Sequence, residues 1–137
     1  MLGKVDFSTV KDFEAVPAGD YDGQTMRGWE AKPTKAGDST NIEVKFRYED
    51  QDDAPRVHLQ RYNLKPAALW KIKRDLIALG ADPQDFESTD VDLEGVLNGL
   101  FGGSVPRACV LTFSVRKYTP EGGEEREQNE LVKVVAA

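Results

Sequence analysis

The sequence has little of the chemistry that disulfides, metal sites and membrane spans require. Its 137 residues include one cysteine and one histidine, so the chain can form neither an internal disulfide nor a zinc site built from several His and Cys ligands. No apolar run reaches the roughly 18 residues that a membrane-spanning helix needs. No glycine-rich run ends in Gly-Lys-Ser or Gly-Lys-Thr, as a P-loop does. We therefore expect no cofactor, no metal and no membrane partner.

The beginning of the chain also lacks an export signal. "MLGKVDFSTV" has no apolar core of the kind that a secretory signal peptide carries. Together with the lone Cys109, this predicts a reducing compartment, the cytoplasm. The composition, 39% hydrophobic and 31% charged, suits a single globular domain of this length. We assign residues 1–18 to an N-terminal arm and residues 19–135 to the domain.

Positive charge is scarce overall, but it is unevenly distributed. The formal net charge is −6 and the pI is near 4.8, which at first argues against a nucleic-acid partner. However, the segments 49–53, 82–94 and 121–127 hold 14 of the 24 acidic residues and one base. The rest of the chain has 10 acidic and 17 basic residues, a balance of +7. A basic face is therefore compatible with an acidic molecule, because the local field steers a ligand.

Alternating apolar and polar residues predict five strands. The strands are expected at 21–32, 41–50, 56–62, 107–119 and 128–136. In the second strand, Ile42, Val44, Phe46 and Tyr48 share one face and belong to the core. In the first strand, Gly23 and Gly28 indicate a bulge or a sharp bend.

The third strand determines which side chains are available to a ligand. We interpret Val57 and Leu59 as core residues. This places Arg56, His58, Gln60 and Tyr62 on the outside.

A change of period after the third strand predicts one α-helix at about 66–80. Pro66 is suited to a first helical turn, Gly80 to the position after the last, and an apolar stripe runs between them. Residues 85–103 are expected to be a polar connection with at most a short helical turn. Five strands with one helix between the third and fourth predict a mainly β fold, an OB-fold-like five-stranded Greek-key barrel.

Basic and aromatic residues interleave along the second and third strands, as single-strand binders require. The cations are expected to neutralise phosphates, while flat rings stack on bases. The candidate nucleic-acid-binding residues are Trp29, Lys32, Lys35, Lys45, Arg47, Arg56, His58 and Tyr62, with Arg116 and Tyr118 at the end of the fourth strand. Trp70 is interpreted as a packing residue and the lysines of the helix as a solvated face.

Two other chemistries are weighed against binding. Glu43 and Lys45 share a strand face, and with Asp20, Asp22 or Asp38 they would resemble a magnesium-dependent nuclease site. Alternating charges on an exposed strand also produce Glu-x-Lys by chance, so we do not expect catalytic residues. The cluster "EDQDD" lacks the spacing and the central glycine of a calcium loop, and we interpret it as a solvated hairpin tip.

Five segments in fixed order carry a resemblance to a known family. They are "VPAGDYDG", "KPTKAGDSTNIEVKF", "YNLKPAALWKIKRDLIALGAD", the "LEG" before the fourth strand, and "REQNELVKV". In this order they resemble a family of bacteriophage single-stranded DNA-binding proteins with an OB fold, often catalogued as a phage domain of unknown function. The resemblance extends from about Phe7 to Val134. It implies a groove across the second and third strands, flanked by the loop 33–40 and the turn 119–126.

The predicted function is non-sequence-specific binding of single-stranded DNA, which the protein would coat and protect during phage replication or recombination in a bacterial host. The expected partners are single-stranded DNA and phage replication or recombination proteins, with 82–94 as one surface for recruitment. Homo-oligomers are left open. The alternative is a protein-interaction or virion-structural module that binds no DNA.

Overall fold

The computed structural model describes Gly3, residues 15–119 and residues 122–137. The elements are β1 (Gly19–Pro33), β2 (Thr40–Glu49), β3 (Pro55–Asn63), α1 (Leu69–Ala78), α2 (Leu93–Phe101), β4 (Ala108–Tyr118) and β5 (Arg126–Ala136). Short 3₁₀ turns at Pro66–Ala68 and Pro83–Phe86 precede the two helices. The fold is mainly β, as predicted. No helix in the described part of the chain has the length and apolar character to cross a membrane.

The five strands form one antiparallel sheet in the order β3-β2-β1-β4-β5. β3 and β5 are the edges, and within the described residues they do not pair with each other. The closed barrel predicted from the sequence is therefore not confirmed, because the sheet is open. α1 packs against both edge strands, so it spans the opening that direct strand pairing would otherwise close.

Hydrogen bonds from both edges converge on α1. The Tyr62 hydroxyl of β3 donates to Asp75 Oδ2 at 2.7 Å. Arg74 donates from Nε to Asp75 Oδ1 at 3.0 Å and from Nη2 to the Val132 carbonyl of β5 at 2.8 Å. A chain of side chains therefore links β3 to β5 through the helix.

The helix positions differ from the prediction in two ways. The helix expected at about 66–80 is shorter, because the first turn from Pro66 is 3₁₀ and α1 begins at Leu69. The connection expected to be polar contains a second helix, α2, whose first turn is capped by Asp92 accepting from the Gly95 amide at 3.1 Å. α2 buries Leu97, Leu100 and Phe101, so it contributes to the core.

The core lies between the sheet and the two helices. The alternation predicted for β2 is confirmed, since Ile42, Val44, Phe46 and Tyr48 are buried. In β4, Cys109, Leu111 and Phe113 are buried, and in β5 so are Leu131 and Val134.

The bulge predicted in β1 is confirmed between Thr25 and Trp29. Gly28 lies inside it with φ +101°, a conformation that residues with a Cβ rarely adopt. Gly23 serves a different purpose, because a Cβ there would lie 2.8 Å from the Arg47 carbonyl oxygen. β1 therefore approaches β2 closely at Gly23 and is irregular at Gly28.

The end of the predicted arm is part of the domain. Val16 is buried, and Asn129 of β5 binds its main chain on both sides. The Val16 amide donates to Asn129 Oδ1 at 2.9 Å, and Asn129 Nδ2 donates to the Val16 carbonyl at 2.8 Å. Residues 4–14, the greater part of the predicted arm, lie outside the described residues.

Candidate nucleic-acid interface

The β2–β3 hairpin presents one face to the core and one to solvent. The connection Asp50–Ala54 places Glu49 opposite Pro55, and this register puts Lys45 opposite Leu59 and Arg47 opposite Val57. We call the solvent side the outer face. It consists of Glu43, Lys45, Arg47, Val57, Leu59 and Arg61.

The predicted orientation of β3 is wrong. Val57 and Leu59 are 55% and 39% exposed, whereas Gln60 and Tyr62 are buried. Arg56, His58, Gln60 and Tyr62 lie opposite Tyr48, Phe46, Val44 and Ile42. The register set by the five-residue connection therefore turns the polar set toward the core. Arg61 joins the outer face, and the sequence prediction missed it together with Val57 and Leu59.

Lys45 and Arg47 hold the positions predicted for them. Both side chains are exposed on the outer face of β2, and neither makes an ion pair with any residue that the structure describes. Across the hairpin they face the apolar side chains of Leu59 and Val57. Two uncompensated cations beside an apolar strip can meet phosphate and the faces of bases together.

Glu43 lies between two cations at one end of the outer face. Its Oε1 is 3.0 Å from Lys32 Nζ, and its Oε2 accepts a hydrogen bond from Arg61 Nε at 2.7 Å. Lys32 Nζ is also 3.2 Å from Glu30 Oε2. Arg61 and then Lys32 lower the pKa of Glu43, and Glu43 and Glu30 raise the pKa of Lys32. Lys32 is thus beside the predicted groove, with its charge compensated.

The same contacts bear on the nuclease alternative. Both oxygens of Glu43 are engaged by cations, and Asp38 is engaged by Lys65 at 3.0 Å. In the part of the chain that the structure describes, no three His, Cys, Asp or Glu side chains are grouped so that they could hold a metal ion.

Three predicted site residues point inward and have structural partners. Arg56 Nε donates to Asp50 Oδ2 at 2.8 Å, which lowers the pKa of that carboxyl. The His58 ring packs against Phe113 at 5.0 Å between centroids and shares a hydrogen bond with Gln60. Tyr62 is buried, and burial followed by the charge of Asp75 raises its pKa far above the usual range for a phenol.

The burial of the two tryptophans is the reverse of what the sequence suggested. Trp29 is half-buried on the core side, where its indole Nε1 donates to Asn98 Oδ1 of α2 at 2.8 Å. Trp70 is 60% exposed on α1, so its interpretation as a packing residue is wrong. Helical spacing alone did not show this, because the apolar stripe runs along Ile72 and Leu76, and Trp70 lies beside it.

The remaining predicted site residues lie at the margins. Lys35 is exposed in the loop between β1 and β2. That loop is shaped by Asp38, which accepts from Thr34 Oγ1 at 3.0 Å and pairs with Lys65. Arg116 pairs with Glu130 at 3.3 Å, and Tyr118 is 37% exposed. Both are on β4, which β1 separates from β2.

Acidic groups border the hairpin end of the outer face. A concavity there is lined by Asp20, Asp22, Glu49, Asp50 and Asp53, among others. The uncompensated positive surface is therefore short. The acid-lined concavity borders it at one end, and the ion pairs of Glu43 border it at the other.

The chain matches no protein-family model, and no curated protein matches it.

Proposed function

We propose that this protein binds single-stranded DNA without sequence preference, as a non-enzymatic coat in phage replication or recombination in the bacterial cytoplasm. The observation that carries the proposal is the pair Lys45 and Arg47. They are exposed on one strand face, make no ion pair with a described residue, and stand beside exposed Val57 and Leu59. Free cations adjoining an apolar strip suit a ligand with regular phosphates and flat bases.

An OB-like arrangement is part of this proposal. The strand order β3-β2-β1-β4-β5 and the helix between the edge strands support it. In an OB fold, the face of strands 2 and 3 and the loops beside it hold oligonucleotides. We propose that α1 takes the place of direct pairing between β3 and β5. The outer face then stays open to a strand of DNA.

The residues in contact differ from those that the sequence suggested. Lys45 and Arg47 contact phosphates, with Lys35 on the adjoining loop. Lys32 contributes less, because Glu43 and Glu30 already compensate its charge. Val57 and Leu59 contact bases in place of Tyr62 and Trp29, which face the core side. Arg56 and His58 support the hairpin from within.

Salt dependence follows from the number of phosphate contacts. Each phosphate neutralised on a single strand contributes about −0.7 to the slope of log affinity against log salt. Contacts from Lys35, Lys45 and Arg47 would together give a slope of about −2. Binding is expected to be independent of magnesium and nearly independent of base composition.

The test is fluorescence anisotropy of a labelled thirty-nucleotide poly-dT with wild-type protein and the variant Lys45→Glu/Arg47→Glu. We expect the variant to bind about 100-fold more weakly at low salt, because two charge-assisted contacts of about 1.5 kcal/mol each are replaced by repulsion. Both positions are exposed, so the thermal midpoint should hardly change.

The matched control is Arg126→Glu/Lys133→Glu, which makes the same change of charge on β5 at the far edge of the sheet. It should retain most of the affinity. An equal loss in both variants would show that net charge, and not the outer face, governs binding. No binding by the wild-type protein at low salt would reject the proposal and favour the alternative, a protein-interaction or virion-structural module that uses Val57 and Leu59 as an apolar contact.

A further inference from the structure

The outer face has no aromatic ring, although single-strand binders gain affinity from rings on which bases stack. Its apolar side chains are Val57 and Leu59. Among the aromatic residues that the structure describes, only Trp70 and Tyr118 are exposed, at 60% and 37%. Trp70 lies in the first turn of α1, the helix that packs against β3. A ring open to solvent is therefore present on the helix that packs against the core side of β3, one of the two strands of the proposed interface.

Arg74 lies against the Trp70 ring. Its guanidinium carbon is 5.2 Å from the centre of the ring, within the range of a cation–π contact. Arg74 is itself fixed by Asp75 Oδ1 at 3.0 Å and by the Val132 carbonyl at 2.8 Å. A ring whose neighbour is fixed in this way loses less conformational entropy when a ligand binds.

The exposed charge of α1 is positive. Lys73 and Arg74 are exposed and Lys71 is half-buried, whereas the acid of this helix, Asp75, is 1% exposed and bonded to Tyr62 and Arg74. The surface around the indole therefore complements an anionic ligand. The combination of an open ring with neighbouring cations is the chemistry that binds a nucleotide through its base and its phosphate.

We propose that Trp70 is a base-stacking position for single-stranded DNA, with Arg74 fixing the ring and Lys73 facing phosphate. This inference rests on the proposed function and adds α1 to the elements that contact the DNA strand. An acidic peptide would meet the same charges, but the apolar anchors of a peptide are received in grooves. The Trp70 ring projects into solvent, which suits a flat base.

Two measurements test the proposal. In the variant Trp29→Phe, which leaves Trp70 as the one tryptophan, saturating poly-dT should quench the indole emission. By anisotropy at low salt, Trp70→Ala should bind poly-dT about 5- to 150-fold more weakly than the wild type, from about 1–3 kcal/mol per stacked base. Leu69→Ala is the matched control, because it removes a neighbouring exposed apolar side chain and should leave the affinity unchanged. Thermal unfolding should confirm that both variants are folded.

An abasic oligonucleotide of the same length separates stacking from charge. Trp70→Ala should not weaken its binding, because it has no base to stack. An equal loss for both oligonucleotides, or unchanged poly-dT affinity in Trp70→Ala while the wild type binds, would overturn the inference and leave the proposed function standing. Failure of the wild type to bind poly-dT would instead reject the proposed function. Quenching by a short Glu-Leu peptide but not by poly-dT would assign Trp70 to a protein partner.

Discussion

At the scale of single residues, β3 turns polar side chains toward the core and satisfies each of them. Arg56 has Asp50, His58 has Gln60 and the Phe113 ring, and Tyr62 has Asp75. Within the described residues, no buried side-chain nitrogen or oxygen lacks a hydrogen-bond partner. Since buried polar groups are costly only when they are unpaired, these partners make the inward orientation stable. Because alternate side chains of a strand point to opposite faces, Val57 and Leu59 then lie on the outer face.

The inward orientation of His58 should make the free energy of unfolding depend on pH. Burial is the main cause that lowers its pKa, and the charge of Lys71 adds to it, while the bond to Gln60 opposes both. A His whose folded pKa is depressed binds more protons when unfolded, so stability is lost as pH falls below about 6.5. We expect the free energy of unfolding to decrease between pH 7 and pH 5.5 in the wild type. Urea titrations should show a flatter profile in His58→Gln.

The carboxyls with lowered pKa, Asp38, Glu43 and Asp50, keep their stabilising contacts in that window. They lose them only at lower pH, below the unfolded values of about 4. The same decrease in His58→Gln as in the wild type would show that His58 does not cause the effect.

How far the interface could be predicted differs from residue to residue. Lys45 and Arg47 followed from the strict alternation of β2. Arg56, His58 and Tyr62 depended on the face of β3, which apolar content suggested wrongly. The connection Asp50–Ala54 contained the missing information, because a five-residue connection that pairs Glu49 with Pro55 puts Tyr48 opposite Arg56. The exposure of Trp70 depended on how much of α1 beside the apolar stripe the sheet covers, and the spacing of the stripe does not contain that.

At the scale of elements, the length and periodicity of a segment determined whether its helix or strand could be predicted from the sequence. The five strands and α1 were each predicted within a few residues of their positions in the structure. α2 was expected to be mostly loop, because its nine residues include Gly95 and Gly99, which are poor helix formers. Its stability comes from burying Leu97, Leu100 and Phe101 against the sheet, a tertiary effect.

The bulge in β1 offers a test at this scale. Gly28→Ala introduces a Cβ that meets nothing within 4 Å, but φ is +101°. We therefore expect backbone strain alone to lower the free energy of unfolding by about 1–3 kcal/mol, measured by urea denaturation.

Gly99→Ala is the matched control for Gly28→Ala. A Cβ at Gly99 also meets open space, but the residue is helical, so the substitution should stabilise by about 0.5–1 kcal/mol. Equal effects of the two substitutions would contradict a role for the positive φ.

At the scale of the whole molecule, the sheet is open and α1 holds its two edges in relation to each other. The contacts run from Tyr62 to Asp75, from Asp75 to Arg74, and from Arg74 to Val132. Asp75 is the centre of this chain. The molecule therefore depends on a helix for a connection that a closed barrel makes through strand pairing.

Asp75→Asn tests that dependence with almost no change of volume. We expect the free energy of unfolding to fall by about 2 kcal/mol, because a buried charge-assisted contact is lost. Hydrogen exchange should show that amides of β3 and β5 lose protection together. The control Asp38→Asn removes an exposed ion pair with Lys65 and should lower the free energy of unfolding much less, because water and salt screen an exposed pair. Loss of protection in β3 alone would mean that α1 does not couple the two edges.

The burial of Cys109 on the core side of β4 provides a reporter of how often the molecule opens. The thiol is 1% exposed, and burial raises its pKa to about 11, so the native state holds it out of reach of reagents and in its unreactive form. Because the chain has no other cysteine, the rate of thiol modification counts openings of this one core. The rate at which wild-type protein reacts with a thiol reagent therefore reports how often the core opens, without any engineered cysteine.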